Sequence, residues 1–297
     1  MVAIAVPRAA PADLLELTKP RIVLMVLITV AVGFYMADPQ TALSPALRIL
    51  LLAHTLIGTT LVAAGTNALN QILERDADAL MRRTANRPLP AGRLTAVEAS
   101  VFAWSSALLG IAYLAAFVNA ATTILAAATL ASYVFVYTPL KRRTTLATLI
   151  GAVPGALPIV GGWTAAGAAI DVRALSLFWI LFLWQIPHFL ALAWLYREDY
   201  ARAGMKMLSV VDERGKMTFR QAALNACALV PISLVPAVLG MTGAPYFFGA
   251  MLLSSWFLWV SISAARHHSL QGARRLFLAS LVYLPVLLTL MVADRII

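Results

Sequence analysis

The chain has 297 residues, of which 61% are hydrophobic and 12% are charged, about half the charged share of an average soluble domain. So little charge excludes an ordinary soluble enzyme and indicates that lipid surrounds most of the chain. The net charge of +10 does not indicate a nucleic-acid partner, because the Lys and Arg residues lie in short segments between apolar runs. The single Cys227 excludes an internal disulfide. We therefore expect one membrane-embedded domain over residues 1–297.

The first predicted element is a short helix at the membrane surface, indicated by Glu16, Lys19 and Arg21 before the first long apolar run. Apolar runs bounded by charge, glycine and proline follow to the end of the chain. They predict nine crossings, near 22–37, 47–73, 96–116, 120–137, 146–163, 172–196, 219–240, 245–265 and 275–292. The predicted fold class is an all-α polytopic membrane protein with nine transmembrane helices, and the very short third connection leaves an even count open.

The basic residues indicate the orientation of this bundle. If the N-terminus is cytoplasmic, all of the 23 Lys and Arg residues except Arg48, Arg173 and Arg295 fall in inward segments. The positive-inside rule predicts this asymmetry, and a wrong helix count would place the basic residues on both sides of the membrane. We therefore expect a multi-pass protein of the cytoplasmic (inner) cell membrane, with its N-terminus in the cytoplasm and its C-terminus outside.

The acidic residues gather at two equivalent places, after the second and after the sixth predicted crossing. The first group contains Glu74, Asp76 and Asp78, and the second begins with Glu198 and Asp199. Equivalent placement four crossings apart indicates two similar halves. It predicts an active site between the halves, facing the cytoplasm.

Three polar residues at the end of the second crossing form a regular pattern. Asn70, Glu74 and Asp78 recur every four residues, which on a helix places three oxygen-bearing side chains along one face. Magnesium takes hard oxygen ligands and commonly joins protein carboxylates to substrate phosphates, so this stripe is a candidate diphosphate site. The alternative is that the acids solvate the helix end and pair with nearby arginines. Amides inside an apolar helix, at Asn67 and Asn70, favour a site or a helix contact.

The run N-Q-I-L-E-R-D-A-D-A-L-M-R-R-T-A-N-R-P-L-P, residues 70–90, resembles the first signature of the UbiA-type intramembrane prenyltransferases. In that family an Asn-x-x-x-Asp-x-x-x-Asp helix binds prenyl diphosphate through magnesium. Glu74 replaces the middle aspartate, which keeps the carboxylate and matches the heme-farnesylating branch. The resemblance implies a UbiA-like bundle in which Asn70, Glu74 and Asp78 are catalytic Mg2+ ligands.

The segment Y-T-P-L-K-R-R-T, residues 137–144, resembles the basic loop of the family, where cations meet the departing diphosphate. Lys141 and Arg142 are the matching diphosphate-binding positions, and Lys141 also counts as catalytic. Without the resemblance, three consecutive cations at a membrane edge are typical of topology determinants or lipid anchors. Arg75 and Arg82, beside the stripe, are further candidate diphosphate-binding residues.

The second signature of the family normally supplies two aspartates four residues apart, but this chain has Tyr196 and Tyr200 at those places. Glu198 and Asp199 remain as candidate acids for a second metal ion, held directly or through water. The alternative is that the second ion is absent.

The segment L-W-Q-I-P-H-F, residues 183–189, resembles the heme-farnesylating branch and not the enzymes that prenylate quinone precursors. It implies heme-binding roles for His188, Trp184 and Gln185, because an imidazole at this depth can ligate heme iron. The alternatives are a hydrogen-bonded core histidine and ordinary tryptophan packing.

The resemblance implies transfer of the farnesyl group of farnesyl diphosphate to a vinyl group of heme b, which gives heme O and needs Mg2+. The implied partners are these two substrates, membrane lipid and a downstream heme-modifying enzyme. Two alternatives stay open. One is a UbiA-type enzyme that acts on another aromatic or tetrapyrrole acceptor. The other is a transporter or lipid-binding protein, which would bind its ligand without magnesium and release no diphosphate.

Overall fold

The computed structural model describes residues 10–37 and 43–296, and these residues are largely helical. In chain order the helices are α1 (Pro11–Thr18), α2 (Pro20–Met36), α3 (Pro45–Leu80), α4 (Ala96–Phe117), α5 (Ala120–Ala131), α6 (Thr138–Leu140), α7 (Ala147–Ala165), α8 (Val172–Leu195), α9 (Arg197–Arg202), α10 (Leu208–Val211), α11 (Lys216–Val238), α12 (Ala244–His267) and α13 (Leu270–Ala293). A π-helical segment, Ser132–Tyr137, joins α5 to α6 without a break.

The predicted membrane crossings are present as helices. Within the described residues, eight helices are long and apolar enough to cross a membrane, or nine if α1 and α2, which meet at a 47° bend, form one broken span. This confirms the all-helical polytopic prediction, while the orientation of the termini stays a prediction. The largest difference is at α3, which continues to Leu80 beyond the predicted end at residue 73. It continues because its polar last turns are buried against other segments.

The apolar core has two parts. One lies between α2, α7, α8, α11, α12 and α13, and includes the fully buried Trp163 and Phe257. The other lies between α1, α3, α4 and α5. A small third cluster joins Met81, just after α3, to Ala193 of α8 and to Met205 and Met207. We call this end of the bundle, where α3 and α8 end, the carboxylate end.

Small residues allow the long helices to approach closely. A Cβ atom on Gly65 of α3 would lie 2.6 Å from the carbonyl oxygen of Ala103 on α4. A Cβ atom on Gly162 of α7 would clash with the backbone of Val30 on α2. Close packing at small residues is a main source of helix association in a bilayer, where burial of apolar surface brings little gain.

The π-helical segment orients the chain before the basic loop. Its end is closed by Thr138, whose hydroxyl donates to the carbonyl oxygen of Tyr133 over 2.9 Å. Gly151 of α7 leaves room for the ring of Tyr137, since a Cβ atom there would lie 2.5 Å from that ring. Single π-helical turns are frequent at functional sites, and this one directs Lys141 towards α3.

Candidate active site

The stripe predicted on α3 is buried at the carboxylate end. Asn70, Glu74 and Asp78 share one helix face and are only 1%, 7% and 1% exposed. Polar groups this deeply buried need partners, because an unpaired buried charge is costly. The structure therefore brings the three side chains together, while their roles as metal ligands stay a prediction.

Each side chain of the stripe is contacted by a different cation, and the three cations come from three separate segments. The pairs are Lys19 Nζ with Asn70 Oδ1 at 3.0 Å, Lys141 Nζ with Glu74 Oε1 at 2.7 Å, and Arg87 Nη1 with Asp78 Oδ2 at 2.6 Å. Lys141 and Arg87 balance the two carboxylates, and burial lowers the pKa of Lys19 to about 7, so the site carries up to one excess positive charge at neutral pH. An excess of positive charge in a partly buried site favours a strongly anionic ligand.

Lys19 reaches the stripe because α1 is fastened to α3. The side-chain amides of Asn67 and Gln71 on α3 donate to the last two carbonyl groups of α1, over 2.9 and 2.8 Å. Lys19 follows directly, with φ at +53°, a conformation that is rare for a residue other than glycine. This backbone turns the side chain inwards to Asn70. From the sequence we expected this lysine, which immediately precedes Pro20, to lie at the membrane surface.

Arg87 reaches the stripe because the segment after α3 folds back over it. The hydroxyl of Thr84 donates to the backbone carbonyl of Asp78 over 2.9 Å, and the guanidinium of Arg87 then meets the Asp78 carboxylate. The other carboxylate oxygen, Asp78 Oδ1, is buried and has no hydrogen-bond partner within the described residues. An orphaned carboxylate oxygen in a buried site indicates a place for a ligand.

Lys141 is held between the stripe and an aromatic wall. Its Nζ lies 4.6 Å from the centroid of the Tyr137 ring, and Thr138 nearby accepts a hydrogen bond of 3.1 Å from the Asn70 amide. Burial opposes the charge of Lys141, but the Glu74 carboxylate outweighs this effect and raises the pKa of Lys141 well above its ordinary value. Lys141 is therefore a cation at neutral pH.

The donor set fits one magnesium ion that is shared with a substrate. Within residues 10–37 and 43–296, no group of three or more His, Cys, Asp or Glu side chains is placed to hold a metal ion. The stripe offers two carboxylates and one amide, with Asp78 Oδ1 unpaired. Mg2+ commonly uses only one or two carboxylates and completes its octahedron with phosphate oxygens and water.

The other predicted diphosphate-binding residues lie outside this buried group. Arg75 is on the exposed side of α3, where it lies 3.7 Å from Asp76, whose side chain is 91% exposed. Arg82 and Arg142 are also exposed, at the rim of the carboxylate end. None of the three arginines has a side-chain contact with the stripe among the described interactions, so their roles stay predictions.

The second acid group has a different environment. The backbone N–H groups of Arg82 and Arg83 each donate to one oxygen of Asp199, both over 3.4 Å, and the guanidinium of Arg202 also contacts this carboxylate. Asp199 therefore joins α9 to the turn after α3, and both of its oxygens are engaged. Glu198 is exposed on the other side of α9. Whether either acid binds a second metal ion stays a prediction.

His188 and Trp184 face α13. His188 Nδ1 lies 2.8 Å from the hydroxyl oxygen of Ser280, and Trp184 donates to the backbone carbonyl of the same serine over 2.9 Å. The Ser280 hydroxyl donates its own hydrogen to the carbonyl oxygen of Phe277 over 2.6 Å. His188 must therefore donate from Nδ1, which leaves Nε2 unprotonated, the form of imidazole that binds a metal.

The structure does not bring these heme candidates together with the stripe. Gln185 is buried against α7, where its amide donates to the carbonyl of Ala152 over 3.5 Å. His188 lies five positions before Ala193 on α8, so the two side chains point in directions about 140° apart around the helix axis. Ala193 is the α8 residue that shares a buried cluster with Met81 at the carboxylate end. A heme bound by His188 would therefore approach the stripe from the α13 side of α8.

Comparison with known proteins shows the family of the chain. The UbiA prenyltransferase family model matches residues 26–284. The chain belongs to the UbiA prenyltransferase family. Among curated UbiA-family relatives, the protoheme IX farnesyltransferase of Solibacter usitatus is 47% identical over 287 residues, which cover 95% of this chain and 98% of the relative. That of Koribacter versatilis is 42% identical over 303 residues, which cover 98% and 97%.

Solved structures show that the bundle has the UbiA fold. A structure described as digeranylgeranylglyceryl phosphate synthase is 17% identical and gives a TM-score of 0.78, with 95% of this chain and 97% of that one covered. A UbiA homolog from Archaeoglobus fulgidus, bound to GPP and Mg2+, is also 17% identical and gives 0.67, with 94% and 99% covered. The family match and the curated relatives show that the chain is a UbiA-family prenyltransferase, as the sequence predicts.

Proposed function

We propose that the chain transfers the farnesyl group of farnesyl diphosphate to a vinyl group of heme b, which gives heme O and diphosphate. The activity named for relatives up to 47% identical over nearly the whole chain supports this donor and this acceptor. The observation that carries the chemistry is the buried stripe, in which each oxygen-bearing side chain is contacted by its own cation. The surrounding lipid and a downstream heme-modifying enzyme are the further partners we propose.

Magnesium would be held by Asn70, Glu74 and Asp78, with the unpaired Asp78 Oδ1 as the readiest ligand. The bound ion would neutralise negative charge on the diphosphate as it leaves. A structure of the same fold that binds GPP and Mg2+ supports a magnesium-dependent site for a prenyl diphosphate. A second ion, if it binds, would use Glu198 or Asp199, and we propose that the site faces the cytoplasm.

The three cations of the site would bind the diphosphate directly. Lys19, Lys141 and Arg87 already lie within hydrogen-bond distance of the stripe, so each can turn from its present partner to a diphosphate oxygen. Because these cations are partly buried, their attraction for the developing negative charge is stronger than it would be in water. The more exposed Arg75, Arg82 and Arg142 would attract the diphosphate from a distance.

The proposed reaction forms a carbon–carbon bond and then adds water. The bond between C1 of the farnesyl group and oxygen breaks, and its electron pair passes to the diphosphate. The π electrons of the heme vinyl group form the new carbon–carbon bond. The positive charge that remains beside the porphyrin is taken up by water, which loses a proton and becomes the new hydroxyl group.

Water must stay away from the allylic cation until the carbon–carbon bond has formed. Tyr133 and Tyr137, whose ring centroids lie 5.2 Å apart, form the wall beside Lys141. Aromatic faces exclude water and stabilise positive charge. On the acceptor side, the free Nε2 of His188 would ligate heme iron, with Trp184 and Gln185 as neighbouring heme contacts.

The test is a direct assay. Purified protein is incubated with heme b, farnesyl diphosphate and Mg2+, and farnesylated heme is sought by mass spectrometry beside a chelated control. We expect a product that disappears on chelation. Release of diphosphate with unchanged heme would instead indicate another acceptor, and ligand binding without diphosphate release would indicate a transporter.

A further inference from the structure

Six exposed cations surround the carboxylate end of the bundle. They lie at or just after the ends of α3, α6 and α9. We call them the basic rim: Arg82, Arg83, Arg142, Arg143, Arg202 and Lys206. None of the six is needed to explain the buried contacts of the stripe, so the rim is a separate feature of the site.

Hydrogen bonds join the three segments into one surface. The backbone N–H of Lys206 donates to the carbonyl of Lys141 over 2.8 Å, which connects the segment after α9 to the basic loop. The Nε of Arg202 donates to the carbonyl of Leu80 at the end of α3 over 3.4 Å. Asp199 accepts from the backbone after α3, as described above. The cations of the rim are therefore held close to one another.

The positive charge of the rim is mostly not neutralised. Among the ion pairs of the described residues, only that of Arg202 with Asp199 involves the rim. Arg83 lies over the ring of Tyr196, with 5.0 Å between the guanidinium carbon and the ring centroid. Cations this close together repel one another, and this cost is relieved when an anion binds among them.

The rim lies close to the stripe, both in the sequence and along the bundle. Lys141 of the site is followed in the sequence by Arg142 of the rim, and Arg82 lies four residues after Asp78, just beyond the end of α3. Glu74 lies six residues before the end of α3 at Leu80, which is about 9 Å along the helix axis. The rim therefore lies within about two helical turns of Glu74 along the bundle.

Heme b has the complementary shape and charge. Its vinyl groups and its two propionate carboxylates lie on opposite edges of an otherwise apolar disc. If a vinyl group reaches the stripe, the propionates lie on the edge that faces away from it. Carboxylates are costly within the hydrocarbon region, so they belong at its boundary.

We propose that the basic rim binds the two propionate carboxylates of heme b and so determines which edge of the porphyrin enters the site. This proposal rests on the proposed heme acceptor. Arginine forms two parallel hydrogen bonds with a carboxylate, which fixes orientation as well as position. The rim thereby selects the vinyl edge for reaction.

The test compares heme b with its dimethyl ester, in which both carboxylates are blocked. Wild-type protein in a neutral detergent is titrated with each porphyrin by absorbance and assayed with each as the acceptor. The variant Arg83→Gln/Arg143→Gln removes two cations that have no assigned role towards the diphosphate. The control Arg214→Gln/Lys216→Gln removes two exposed cations at the start of α11, on a segment that carries no rim residue.

We expect the wild-type protein to bind heme b about tenfold more tightly than the ester, from two exposed charge pairs. The rim variant should lose that preference and have a raised KM for heme b, with an unchanged KM for farnesyl diphosphate. The control variant should behave as wild type. Equal use of both porphyrins by the wild type, or the same loss in the control, would overturn the proposal.

The two proposals fail in different ways. The binding titration needs no turnover, so it reports on the rim whether or not product forms. A wild-type protein that forms no farnesylated heme would overturn the acceptor assignment. A wild-type protein that farnesylates heme b and its ester equally would keep the acceptor and overturn the role of the rim.

Discussion

The two acid groups of the chain both lie near the carboxylate end, one on α3 and one on α9, but the surroundings of their carboxylates differ. Asp78 is 1% exposed and has one oxygen without a partner, whereas Asp199 is 8% exposed and both of its oxygens accept hydrogen bonds. A carboxylate oxygen without a hydrogen-bond partner is the more available ligand for a metal ion. The first group is therefore the one to which we assign the proposed role towards the substrate, while the second holds the segment from which Arg82 and Arg87 come.

The spacing of the acids accounts for part of this difference. Asn70, Glu74 and Asp78 are each four positions apart on a long helix and therefore share a face. Glu198 and Asp199 are adjacent on the six-residue α9 and point in different directions, one outwards and one into the bundle. Adjacent acids on a helix cannot form a common site.

The largest expected effect is at Asp78. Asp78→Asn removes the carboxylate charge but keeps the shape, so we expect the rate of diphosphate release to fall about 10²- to 10³-fold, while the protein stays folded in detergent. Asp76→Asn, at the 91% exposed neighbour, is the control and should be near normal. Near-normal activity of Asp78→Asn would contradict the assignment of Asp78 as a Mg2+ ligand.

The second expected effect is at Lys141. Lys141→Met leaves the Glu74 carboxylate buried without its cation, which should lower the free energy of unfolding by about 3–5 kcal/mol and nearly abolish turnover. The double variant Glu74→Gln/Lys141→Met should regain stability in a thermal melt but not activity. Lys216→Met, at an exposed position, is the control. If the double variant is no more stable than Lys141→Met, the pair is not coupled.

A smaller effect is expected at Asp199. Asp199→Asn weakens the contacts with α3 and should lower the free energy of unfolding by about 1–3 kcal/mol. The Mg2+ concentration for half-maximal activity should stay the same, because the acid is engaged elsewhere. Glu198→Gln should change neither quantity. A tenfold higher Mg2+ requirement in Asp199→Asn would show instead that Asp199 is a metal ligand.

The smallest effect is expected at Arg75. Its exposed contact with Asp76 contributes little, so Arg75→Gln should change the free energy of unfolding by less than about 0.5 kcal/mol. Turnover should stay within about twofold of wild type at physiological salt. A larger loss that disappears at saturating farnesyl diphosphate would show that Arg75 contributes to capture of the diphosphate.

Much of the fold follows from the sequence because a bilayer permits few alternatives. Every backbone polar group in the hydrocarbon region must be paired within its own segment, so each long apolar run becomes a helix. The stripe was also predictable, because a spacing of four residues along a helix determines a face. The π-helical turn and the burial of the last turns of α3 were not, since both depend on what packs against them.

The sequence by itself determined the helices, the face that carries Asn70, Glu74 and Asp78, and the asymmetry of charge. Only the tertiary structure decided which cations meet that face, because Lys19 and Lys141 lie 51 and 67 residues from their partners. It also decided that Asp199 is engaged with α3 and that His188 faces α13. The periodicity of a helix follows from backbone hydrogen bonds between residues that are close in the sequence. Contacts between residues far apart in the sequence depend instead on how the helices pack.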